Sequence, residues 1–109
     1  MFEVRFYKNA NGVEPVKDWL KNELSTVDRH AIGKDLAILQ RGFPVGMPLV
    51  RPMGRGLFEL RSHISDKRIS RIFFCTHENQ LVLLHGFVKK TQTTPQQDLR
   101  LAETRRKDL

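Results

Sequence analysis

A chain of 109 residues can bury one hydrophobic core and not two, so a single domain over residues 1–109 is expected. Hydrophobic residues at 39% and charged residues at 28% set aside disorder and fibrous folds. A formal net charge of +7 and a pI near 10.1 surround the chain with a positive field, which makes a polyanion, nucleic acid first, the expected partner.

The first strand is signalled by Phe2, Val4 and Phe6 alternating with Glu3, Arg5 and Tyr7, and Asn9-Ala10-Asn11-Gly12 breaks it as a turn. Pro15 suits the first turn of a helix that begins near Glu14 and carries Val16, Trp19, Leu20 and Leu24 on one face. Ser25 followed by Asp28 marks a second helix start, with Ile32, Leu36 and Leu39 as its apolar face and Gly42 as its stop. Residues 43–56 hold Pro44, Gly46, Pro48, Pro52, Gly54 and Gly56, so a surface loop without regular structure is expected there.

Three strands follow, Leu57 to Arg61, Arg68 to Phe74, and a run from Leu81 that ends in Lys89-Lys90. Turns at Ser65-Asp66-Lys67 and His77-Glu78-Asn79-Gln80 space them closely enough for an antiparallel meander. Thr94-Pro95-Gln96-Gln97 reads as the cap of a third helix, with Leu99 and Ala102 inward and an end near Arg106. The order strand, two helices, three strands, helix specifies an α+β fold.

Cys75 is the only cysteine and lies in the apolar run Ile72-Phe73-Phe74-Cys75, so no intrachain disulfide can form and it reads as a small buried hydrophobe. Met1-Phe2-Glu3-Val4-Arg5 is too charged for a signal peptide, and no apolar run has the length of a membrane span. A cytoplasmic protein without membrane contact is expected.

Strand parity assigns candidate site residues. If Phe58 and Leu60 face the core, Glu59 and Arg61 share the opposite face, and Arg71 on the next strand can stand beside Arg61. Arg71 is flanked by Ile69, Ile72, Phe73 and Phe74, a setting in which an arginine requires a carboxylate or phosphate. Glu59 would make that a structural ion pair. His85, Lys89 and Lys90 end the last strand, and the two lysines point to opposite faces if the strand runs through both. Lys90 joins the site if Gly86 and Val88 share the Arg71 face, and Lys89 does if His85 and Phe87 share it. Arg51, Arg55 and Arg68 are further cations for nucleic-acid contact, against the plainer reading of solvated surface charge. The four histidines are dispersed and no phosphate-binding glycine loop precedes a helix, so neither metal nor cofactor is expected.

Gly54-Arg55-Gly56-Leu57-Phe58-Glu59-Leu60-Arg61, Arg71-Ile72-Phe73-Phe74, and Leu83-Leu84-His85-Gly86-Phe87-Val88-Lys89-Lys90-Thr91 with Thr94-Pro95 and Asp98 resemble the phage-derived Gp49-like group of HigB toxins, within the RelE/ParE superfamily. Glu14-Pro15-Val16-Lys17-Asp18-Trp19-Leu20 and Pro44-Val45-Gly46-Met47-Pro48 extend the likeness over nearly the whole chain. The resemblance implies a RelE-like fold, a small antiparallel sheet with the two N-terminal helices on one face. It implies the toxin of a type II toxin–antitoxin system, a ribosome-dependent endoribonuclease that cuts mRNA by attack of the ribose 2′-OH on the adjacent phosphate. Its partners would be the ribosome, mRNA, and an antitoxin of the helix-turn-helix DNA-binding type, with which it could form a hetero-oligomer.

In that chemistry Arg71 would bind the phosphate, Arg61 or Lys90 would offset developing charge, and His85 or Glu59 would move the proton. Many RelE-type toxins use a tyrosine near the C-terminus, whereas the sole tyrosine here is Tyr7. The alternatives are a ParE-like toxin that poisons DNA gyrase and an RNA-binding module without catalysis.

Overall fold

Tight turns of left-handed residues fold the second half of the chain. Arg55-Gly56 and Glu78-Asn79 each supply two consecutive residues at positive φ, the geometry that matches the twist of a two-residue hairpin. Asp66-Lys67 does the same inside the third turn. The computed structural model describes residues 1–88 and 96–109. Its elements in chain order are β1 (Glu3–Phe6), α1 (Pro15–Glu23), α2 (Thr26–Gly42), β2 (Val50–Gly54), β3 (Leu57–Ile64), β4 (Arg68–His77), β5 (Gln80–Val88) and α3 (Gln96–Lys107).

The α+β class holds, with two corrections. Residues 43–56 are not all loop, because Val50–Gly54 forms strand β2 against β3. Pro52 is tolerated because β2 is an edge strand, where one side needs no donor. The sheet is also mixed rather than antiparallel. Its order is β1-β5-β4-β3-β2, and β1 runs parallel to β5 after the chain has crossed through α1 and α2.

Helices α1 and α2 cover one face, where Val16, Leu24, Ile32 and Leu39 pack on Leu60, Ile72, Phe74, Leu81 and Leu83. Helix α3 covers part of the other, with Ala102 and Leu99 against Leu57, Phe73, Cys75, Val82 and Leu84. Strands β4 and β5 therefore bury both faces, which accounts for their continuous apolar runs. As expected, Ser25 caps α2, its Oγ accepting from Asp28 N at 3.1 Å. Gly86 lets α1 lie close to β5, since a Cβ there would stand 2.6 Å from the Trp19 ring.

One irregularity positions the site. Phe73 pairs with His85 and Phe74 with Leu83, so Leu84 is an extra residue in β5. Leu81 and Leu83 face α1 and α2, and unbroken alternation would send His85 there as well. The bulge turns His85 to the α3 face beside Phe73. Arg105 Nη1 donates to the Leu84 carbonyl at 2.7 Å, holding the bulge from α3.

Candidate functional site

On the α3 face the register lays out two rows. Arg51, Glu59, Phe73 and His85 lie side by side across β2, β3, β4 and β5, and Arg61, Arg71 and Phe87 form the next row. Strand parity and one bulge thus gather on one face five residues that the sequence singled out: Arg51, Glu59, Arg61, Arg71 and His85.

Arg71 Nη1 donates to Glu59 Oε1 at 2.9 Å, and both side chains are buried, Glu59 completely. The pair satisfies only part of the two groups. Glu59 Oε2, Arg71 Nε and Arg61 Nε are buried with no hydrogen-bond partner among the described residues. A carboxylate oxygen and two guanidinium N–H groups lacking partners on one face are costly, because each has given up water without replacement.

His85 lies on the far side of Phe73 from Glu59. Two strand spacings separate their backbones, about 10 Å, so the two proton-transfer candidates do not share one position. His85 Nε2 lies 2.5 Å from Asp98 Oδ1 on α3, and its ring stacks on Phe87 with centroids 5.6 Å apart. A carboxylate at Nε2 favours the proton on that nitrogen and leaves Nδ1 as the acceptor of a neutral ring. The sequence gives Asp98 no such role by itself, because a carboxylate in a helix's first turn already answers to the helix dipole.

The remaining candidates fall elsewhere. Arg68 lies on the α2 side, where it donates to Asp28 Oδ2 at 2.9 Å, and Ser65 N and Oγ donate to the same carboxylate. Those bonds, the Ser65 backbone N–H foremost, hold the Asp28 carboxyl below its ordinary value. Arg55 occupies the tip of the β2–β3 hairpin. Lys89 and Lys90 lie outside the described residues. Tyr7 sits on β1's side of α3, its hydroxyl donating to Asp108 Oδ2 at 2.7 Å beneath the Arg105 guanidinium. Among the described residues no three His, Cys, Asp or Glu side chains are grouped as metal ligands.

A family model of phage-derived Gp49-like proteins matches residues 18–107, a span that contains Glu59, Arg61, Arg71, His85 and Asp98. The chain belongs to that family. Gp49-like proteins are toxin-like, which agrees with the resemblance carried by the 54–61, 71–74 and 83–91 segments. Tyr7 falls before the matched region of this Gp49-like chain. No curated protein matches it. None of its helices among the described residues is long and apolar enough to cross a membrane.

Proposed function

We propose that this Gp49-like protein is the toxin of a type II toxin–antitoxin pair, a ribosome-dependent mRNA endoribonuclease on a RelE-like fold. The observation that carries this reading is the buried Glu59–Arg71 pair with Glu59 Oε2 and Arg71 Nε unpartnered among the described residues, and with Arg61 opposite Arg71 in the β3–β4 register. Replacing a buried ion pair by packed apolar groups is often neutral or stabilising. Retaining one with orphaned guanidinium donors is reasonable where a phosphate, an acceptor, completes the Arg71 and Arg61 N–H groups.

His85, oriented by Asp98, takes the proton from the ribose 2′-OH at Nδ1. O2′ then bonds to phosphorus as the bond to O5′ breaks, leaving a 2′,3′-cyclic phosphate and a 5′-OH. Arg71 and Arg61 offset the charge that grows on the phosphate oxygens. A lysine ammonium, Lys89 or Lys90, returns a proton to the leaving O5′, so protons balance. Glu59, completely buried and bonded to Arg71, aims that guanidinium instead of acting as the base. Its partners in the cell are the ribosome, mRNA and a helix-turn-helix antitoxin.

Primer extension on mRNA from cells expressing the chain tests this. Cuts phased to codons are expected. Intact mRNA with double-strand DNA breaks would replace the reading by gyrase poisoning, and intact mRNA and DNA together would leave an RNA-binding module.

A further inference from the structure

Arg55 is the first central residue of the β2–β3 turn and has φ of 55°. Asparagine or aspartate ordinarily occupies that position, because an arginine in the left-handed region is strained. Arg55 lines an open cleft of about 380 Å³ between the hairpin and α3. Met53 and Leu99 supply its apolar surface, Arg100 a second guanidinium, and Gln96 and Glu103 its polar edges. Arg55 and Arg100 are both exposed, and neither has an ion-pair partner among the described residues. Glu103 is engaged by Arg106 at 3.2 Å.

The cleft adjoins the candidate site through two elements. Leu99 follows Asp98 on α3, and Met53 stands two residues from Arg51 on β2, about 7 Å along the strand. Two guanidinium groups alone would suit any small anion. An apolar floor beside them has no use for inorganic phosphate, but it matches the face of a nucleobase carried next to its phosphate.

We propose that the Arg55–Arg100 cleft is a nucleotide subsite for single-stranded RNA, taking the residue that flanks the cleaved phosphodiester. The guanidinium groups hold its phosphate and stack on its base, while Met53 and Leu99 cover the other face. This rests on the endoribonuclease reading and adds the place where substrate is gripped outside the reacting centre.

The test is fluorescence anisotropy of a labelled 2′-O-methyl oligoribonucleotide, which lacks the attacking hydroxyl, titrated at several salt concentrations. Arg100→Gln is expected to raise Kd about tenfold and to flatten the dependence of log K on log salt by about 0.7. Arg55→Asn separates grip from fold, because asparagine relieves the turn while removing the cation. Its Tm is expected to rise by about 4 °C as its Kd rises about tenfold. Binding unchanged in either variant, loss of Tm together with binding in Arg55→Asn, or no binding by the wild-type protein each overturns the subsite. Failure of the endoribonuclease reading is a different result, uncut mRNA in the primer-extension map.

Discussion

Arg71 and Glu59, twelve residues apart in sequence, meet at 2.9 Å on the sheet face that α3 partly covers, with Glu59 Oε2 and Arg71 Nε unpartnered among the described residues. Neighbouring rows of the β3–β4 ladder place them diagonally, Arg71 opposite Arg61 and Glu59 opposite Phe73. The arginine therefore reaches across the ladder toward β3 rather than along its own row.

That contact dictates how the site should be mutated. Arg71→Ala leaves a completely buried carboxylate unpaired and should lower unfolding stability by about 3–5 kcal/mol, so its loss of toxicity would be ambiguous. The double variant Glu59→Leu with Arg71→Met removes both charges together. Urea unfolding followed by circular dichroism should place it within about 1 kcal/mol of wild type or above it. Its expression should nonetheless no longer arrest growth. A folded and fully toxic double variant would remove the pair from the mechanism.

His85→Gln and Asp98→Asn probe the other half of the site. Loss of the imidazole removes the proposed base, worth about 100-fold or more in cleavage rate. Asp98→Asn keeps the ring and its stacking on Phe87 but loses the charged partner at Nε2, so an intermediate loss of about tenfold is expected. Single-turnover cleavage on programmed ribosomes reads both. Equal and full rates in the two variants would move proton transfer away from β5.

Local chemistry makes several of these features legible in the sequence. Helical spacing gives α1 its buried face, Ser25 its cap, and Glu78-Asn79 its turn, because each depends on neighbours within a few residues. The alternation of side chains along a strand is enough to bring Glu59, Arg61 and Arg71 to one face. What stays hidden depends on pairing across longer distances. Pro52 reads as a breaker until an edge position makes its missing N–H harmless. The face of His85 is set by a bulge that exists only in the β4–β5 register. Arg68 reads as a free surface cation, yet its partner Asp28 lies forty residues away on α2.

Gly86→Ala should be destabilising by about 1–3 kcal/mol, since the added methyl would stand 2.6 Å from Trp19 Cε3 and Cζ3. The indole is partly buried against the α1/α2 core and must shift as a unit. Trp19→Leu in the same chain should recover part of that loss, which a double-mutant cycle measures as a favourable coupling. Additive effects of the two substitutions would mean that the contact does not set the approach of α1.

Asp28 supplies an acid-sensitive tie between α2 and the β3–β4 turn. Its folded pKa lies below the ordinary 3.8, chiefly through the Ser65 backbone N–H, so the unfolded chain takes up the proton first on acidification. The stabilisation is therefore complete above about pH 4 and is lost as pH falls through the folded value. Asp28→Asn should lower Tm at pH 7, and the gap from wild type should narrow below pH 4. A gap that stays constant down to pH 2 would show that the carboxylate's charge contributes nothing.

Tyr7 offers the alkaline counterpart, and being the only tyrosine it can be followed alone. Its hydroxyl donates to Asp108, and that bond, followed by burial, raises its pKa above the usual 10.0. The folded chain thus keeps this proton more tightly than the unfolded one. Its contribution is full below pH 10 and is lost as pH rises through the folded value. Phenolate absorbance at 295 nm should appear above pH 10 in the native protein and return to about pH 10 in 8 M urea. Asp108→Asn, which retains an acceptor but not the charge, should move the native titration part of the way back. Coincident native and unfolded curves would mean that the C-terminal residues do not close over β1 in solution.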